Sequence, residues 1–220
     1  VTLVPDVASP VAGWRVWTVA DRGRGPELVS PVRPMSWIHR EPATATCLEG
    51  CAACPSVECR CGLYATAGLA PLVLACRRGA AVLGCTALWG RVVEHTDGWR
   101  GEHGYPLVLF VMSGLLLDPV SRIRSTRRVT SAVRHGLPSG HDHVTGPETL
   151  ARELARLYAV PAHPAPGLAA DRLRGWARSG GQAADAVRSE AADGLAGRRL
   201  GDPAAHARLA RRAQELVDAA

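Results

Sequence analysis

Five of the seven cysteines in this chain fall between positions 47 and 61, in the stretch TCLEGCAACPSVECRCGLYA. Nothing else in the sequence limits the fold as much. The stretch holds glycine, proline and charged residues but few apolar side chains, so burial alone cannot fix its shape. Four thiolates closing on one ion can, and such binding adds on the order of 10 kcal/mol to folding.

The spacing suggests two ligand turns. Cys51-x-x-Cys54 reads as one and Cys59-x-Cys61 as the other, with Cys47 close enough to take a remaining corner. The expected ligand set is Cys47, Cys54, Cys59 and Cys61, with Cys51 as the alternative to Cys54. Zinc is the favoured ion, and an iron–sulfur cluster is the other cofactor an all-cysteine site accepts. Cys76 and Cys85 stand alone in apolar settings and read as small core residues.

The number of cysteines is odd, and the opening VTLVPDVASPVAGW lacks the basic-then-apolar order of a secretory signal. Together these point to a reducing, cytoplasmic setting rather than a disulfide framework. The longest apolar run, Pro106 to Pro119, is broken by Ser113 and Gly114 and is too short for a membrane span. All 26 basic residues are arginine, which reflects GC-rich coding more than selection for phosphate. The formal charge of +6 falls to about +4 once four thiolates hold a divalent ion, so a polyanion partner is permitted and not demanded.

Residues 13–19, GWRVWTV, alternate as a strand, meet the turn-rich DRGRGP and continue into a second strand over 28–32. Residues 65–78 read as a short helix. Residues 80–95 read as one long strand or two short ones, bent at Gly84 and Gly90. Asp97-Gly98 signals a tight turn into a strand over 99–111. Thr145-Gly-Pro-Glu148 reads as a capping box opening a helix to about Tyr158. Further helices are expected over 168–179, 182–196 and 203–219, the last capped by Asp202 and burying Leu209, Ala213, Leu216 and Val217.

The expected fold is α+β: a small, bent antiparallel sheet or partial barrel with a cysteine-rich metal-binding insertion, followed by a helical region. The expected division is a zinc-stapled β domain over 1–118, a basic linker or edge segment over 119–146, and a helical annex over 147–220.

Two resemblances bear on the cluster. Residues 51–59, CAACPSVEC, resemble the Cys-x-x-Cys-Pro segment of the WhiB-like iron–sulfur regulators, and Leu88-Trp89-Gly90 is similar to their Trp-containing turn. Those proteins have one more residue before the next cysteine, however, and a further cysteine upstream, where this chain has none before Cys47. The chain is more similar to a family from high-GC bacteria with no established activity. The likeness covers residues 13–110 and is carried by Gly13-Trp14-Arg15, Cys59-x-Cys61-Gly62-Leu63-Tyr64-Ala65, Leu88-Trp89-Gly90-x-Val92-x-Glu94, Gly98-Trp99-Arg100 and Tyr105-Pro106. It implies a domain boundary after the sheet and weight on Cys59 and Cys61.

Other candidate groups are weaker. His141-Asp142-His143 reads as a solvated loop, and Glu94-His95 with Glu102-His103 as an acid–base set that would have to converge across a hairpin. Arg122, Arg124, Arg127, Arg128 and Arg134 form a basic run able to touch phosphates, with Trp14, Trp17, Trp37, Trp89 and Trp99 as stacking platforms. No nucleophile elbow, phosphate loop or dinucleotide fingerprint occurs. The sequence therefore points to a non-enzymatic, metal-stabilised binding module for nucleic acid or protein, the C-terminal helices offering a protein-docking face and no membrane being involved. A thiol-based redox or metal sensor is the alternative, and a metal-independent hydrolase built on the Glu/His hairpin is a third.

Overall fold

The computed structural model describes residues 2–4, 10–21, 23–72, 82–112, 146–165, 181–196 and 203–218. Its spine is a hairpin of two long strands, β7 (Val82–His95) and β8 (Gly98–Met112). His95 pairs with Gly98, so the turn residues are Thr96 and Asp97, one position earlier than the Asp97-Gly98 signal suggests. Gly98 has φ +151°, and a Cβ there would stand 2.2 Å from the Ala65 carbonyl oxygen. Only glycine lets the neighbouring strand approach so closely. Register shifts fall between Cys85 and Thr86 and between Trp89 and Val92, beside the two glycines at which bends are expected.

Around this spine the remaining strands form one sheet of nine. They are β1 (Thr2–Val4), β2 (Val11–Asp21), β3 (Pro26–Val29), β4 (Ser36–Trp37), β5 (Ala43–Thr44), β6 (Leu63–Thr66) and β9 (Ala162–Ala165). The hairpin of β2 with β3 is as expected. β2 pairs with β7 from Val11 opposite Leu88 to Trp17 opposite Val82, and Trp14 also meets Thr66 of β6, which in turn pairs with β8. This partly rings the sheet without closing a barrel. The sheet is also mixed, because β9 lies parallel to β8.

The helix expected over 65–78 gives way to β6 and a single 3₁₀ turn at Ala70–Leu72, with 73–80 outside the described residues. Leu63 and Ala65 alternate inward and complete the ladder on β8, which outweighs the helical preference of an alanine-rich stretch. Helix α1 (Pro147–Tyr158) starts with Gly146 as N-cap and no side-chain hydrogen bond from that residue; the Thr145 hydroxyl of the expected capping box lies outside the described residues. Proline at the first turn supplies the start. Ala159 in the left-handed conformation ends the helix. Helices α2 (Gly181–Ala196) and α3 (Pro203–Asp218) match their expected spans within two residues. The helix expected over 168–179 and the Asp202 cap lie outside the described residues.

Strand alternation sends side chains into two cores. Trp14, Val16, Leu83, Val108 and Phe110 pack with Val187, Leu209, Ala213 and Leu216 of α2 and α3. Trp17, Leu28, Trp37, Val82, Leu109 and Val111 pack with Leu150, Leu154 and Tyr158 of α1. The sheet is thus covered by helices on both faces. No described helix is long and apolar enough to cross a membrane.

Candidate metal centre

The cysteine loop is pinned to β8 at both ends. Before it, Ala43 and Thr44 of β5 pair with Gly104 and His103, and the Ala45 amide donates to the Glu102 carbonyl at 2.7 Å. After it, Leu63 of β6 pairs with Gly101. Both entry points fall within four residues of one strand, so the intervening chain must double back on itself.

The loop doubles back with its sulfurs inward. The Sγ atoms of Cys47, Cys51, Cys59 and Cys61 all lie within 4.8 Å of one another, close enough to hold a metal ion. Cys47 and Cys59 stand 3.7 Å apart. Cys54, preferred to Cys51 from the spacing, is not in this set of four. The reason is a turn at Gly50, whose φ of +76° returns the Cys51 amide and thiol onto the Cys47 sulfur. The turn that brings two of the four close sulfurs together is therefore Cys47-x-x-x-Cys51, and the Leu-Glu-Gly between these cysteines is the signal that could have shown it.

Electrostatics inside the group are uneven. Hydrogen bonds from the Cys51 amide and thiol draw Cys47 down to about 6. The Cys51 thiol, donating to Cys47 and Cys59, is pushed up to about 12. Burial, then the neighbouring Cys61 thiol, pushes Cys54 up to about 12. Burial is also the leading cause that raises Cys59, whose thiol donates to Glu49 Oε2 at 3.4 Å. The Ser56 amide points at the Cys61 sulfur at 3.4 Å. Without an ion the group carries one ready thiolate, and a metal would displace the remaining protons.

One residue of this site escapes the sequence reading. Arg100, buried on β8, donates through Nη1 to the carbonyls of Cys59 and, at 2.8 Å, of Cys61. Its Nη2 donates to the Ser56 carbonyl at 3.3 Å and its Nε to His95 Nε2 at 2.7 Å.

The remaining candidates separate. His95 pairs with Gly98 at the hairpin tip while His103 pairs with Trp89 six β7 residues away, roughly 20 Å along a strand. His95 turns to Arg100, whereas His103 meets Thr44 Oγ1 at 3.2 Å and Glu102 at 3.8 Å. Glu94, His95, Glu102 and His103 therefore do not form one acid–base set. Trp14, Trp17 and Trp37 are core residues, and Trp89 and Trp99 pack against the cores half-buried, which removes the first three as stacking platforms. Cys85 is buried in the core, where desolvation pushes its thiol up to about 12. Cys76, the arginines at 122, 124, 127, 128 and 134, and His141, Asp142 and His143 lie outside the described residues.

A cavity of about 550 Å³ lies where β7 and β8 meet α2 and α3, lined by Trp89, Tyr105, Leu107, Val160, Ala191 and Leu209 among others. Its walls are largely apolar. Glu190 at its edge is paired with Arg208 at 2.9 Å, and the Tyr105 hydroxyl donates to the Tyr158 carbonyl at 2.8 Å. Comparison with protein-family models, curated proteins and solved structures gives no match, so the functional argument stands on the chemistry of the cysteine site.

Proposed function

We propose that the chain is a non-enzymatic binding module whose loop 45–62 is closed by one zinc ion held by Cys47, Cys51, Cys59 and Cys61. The observation that carries this is the packing of four sulfurs within 4.8 Å. Bonds of about 2.3 Å to one tetrahedral ion put neighbouring sulfurs about 3.8 Å apart. The 3.7 Å between Cys47 and Cys59 matches that edge. In a four-iron cluster each cysteine ligates a different iron outside an inorganic core, which requires wider spacing. This favours a single ion over such a cluster.

The ligand proposed for the loop is a protein. Leu48 is 80% exposed, Val57 46% and Tyr64 49%, three of the five exposed large hydrophobic residues among those described. Leu48 and Val57 lie on the loop that carries the ligands and Tyr64 on β6 just after it, so this part of the chain supplies exposed apolar side chains for a partner. A divalent ion with four thiolates is doubly negative, and Glu49 and Glu58 set against Arg60 and the buried Arg100 leave the face net negative, which disfavours phosphates there. Nucleic acid binding would run instead through Arg122, Arg124, Arg127 and Arg128. Membership of the high-GC bacterial family sharing the motifs at 59–65 and 88–94, a cytoplasmic location and docking through the C-terminal helices belong to the same proposal.

A thiol sensor is the second reading, favoured by a fifth free thiol, Cys54, on the same loop as the four close sulfurs. Ligand assignment tests the first. Cys51→Ser should lose zinc on gel filtration against a chelator, and Cys54→Ser should keep one ion per chain. The reverse pattern would overturn the assignment. Oligonucleotide binding, if measured, should weaken steeply with salt and be abolished by Arg127→Ala with Arg128→Ala. Binding abolished instead by Leu48→Asp with Val57→Asp would contradict the division of surfaces.

A further inference from the structure

We infer that Arg100 is the positioning residue of the metal centre, fixing the backbone from which Cys59 and Cys61 reach the ion and supplying the cation that balances it. The inference rests on the metal reading above. Arg100 sits between β6 and β7, opposite Tyr64 on one side and Val93 on the other. It is 2% exposed, and its side chain turns under the loop to bond the carbonyls of Ser56, Cys59 and Cys61. Those carbonyls belong to the ligand turn, so one rigid fork decides where two of four sulfurs stand. The Cζ atom lies 5.9 Å from the Tyr64 ring, and His95 Nε2 holds Nε at the rear.

The second observation is a missing charge. None of the hydrogen-bond partners of Arg100 is a carboxylate, and among the described residues no salt bridge includes it. A buried cation held only by neutral acceptors is costly unless an anion lies close by. The doubly negative ion-with-thiolates, two of whose sulfurs belong to the same Cys59 and Cys61 whose carbonyls it bonds, is that anion. Geometry and charge are separable here, because lysine retains the charge while losing the fork that spans several acceptors.

The test is zinc affinity, by competition with a chromophoric chelator, in the full chain and in Arg100→Gln, Arg100→Lys and His95→Ala, with cobalt(II) absorption recorded for each. Arg100→Gln should bind zinc about 10- to 100-fold more weakly, the range for outer-shell changes. Arg100→Lys should fall between it and the parent, and His95→Ala should lose a few-fold. The cobalt bands should keep their positions, since all four sulfurs remain. A merely structural role would lower the melting temperature of zinc-free and zinc-loaded protein alike, whereas a positioning role narrows the gap between them. Arg100→Gln within twofold of the parent overturns the inference. Should that variant not fold, Arg100→Lys and His95→Ala both at parental affinity do the same. A parent that takes up neither zinc nor cobalt overturns the metal reading itself, a different result from a metal-loaded parent indifferent to Arg100.

Discussion

The Leu28 amide donates to the Tyr158 hydroxyl at 2.8 Å, and that hydroxyl donates onward to the Trp37 carbonyl. One side chain at the end of α1 thereby satisfies a donor on β3 and an acceptor on β4, both buried in the Trp17, Leu28 and Trp37 core. Desolvation, the leading cause, raises the hydroxyl well above the usual tyrosine range, so it stays protonated and able to donate. Tyr158→Phe leaves both groups without a partner and should cost about 1–3 kcal/mol in denaturant unfolding. An unchanged midpoint would mean that α1 is held by apolar contact alone.

Acid should loosen the contact of β9 with α3. His163 stacks on Phe110, its Nδ1 lies 3.2 Å from Gln214 Oε1, and burial, outweighing that bond, lowers its pKa below 6.5. A lowered folded pKa means the unfolded chain takes up a proton that the fold refuses. Stability is therefore full above about 6.5 and falls as pH drops through that value toward the folded one. His95, also lowered chiefly by burial, adds a parallel slope. His163→Gln should flatten the curve of stability against pH between about pH 7 and 5; identical slopes in parent and variant would exclude His163 as its source.

Metal removal should act locally. Cys47, Cys51 and Cys59 belong to neither core, and the strands beneath them are held by Trp14, Trp17, Leu83 and Phe110. A chelator should speed amide exchange over 47–61 while 82–88 and 107–111 stay protected, with far-ultraviolet dichroism nearly unchanged. Free zinc at about 1,000 times its dissociation constant would then add about 4 kcal/mol. Cooperative loss of the whole sheet on chelation would contradict this picture.

Much of this was readable in advance, and the misses have physical causes. Residues 13–19 and 80–111 showed as strands because they are rich in β-branched and apolar residues between turn signals, and with both faces packed the burial runs unbroken through Ala12–Trp17, Val82–Leu88 and Pro106–Met112. Residues 65 and 66 misled because the alanine-rich stretch they open suits a helix, and only a pairing with β8, distant in sequence, makes them part of a strand. β9 was hidden by Pro164, which is tolerated because, among the described residues, this strand pairs along one side. In the cluster, clustering alone pointed to metal. The choice between Cys51 and Cys54 depended on the turn at Gly50, which the C-x-x-C template passes over. Arg100 stood in the sequence only as part of Gly98-Trp99-Arg100, and nothing there marked a role for it among 26 basic residues that are all arginine.

The central claim is one ion closed in by Cys47, Cys51, Cys59 and Cys61, and metal content with absorbance on freshly purified protein tests it most directly. The account predicts one zinc per chain and a colourless solution. A brown protein with several irons per chain, or one that binds no metal while its five loop thiols all react freely, would contradict it.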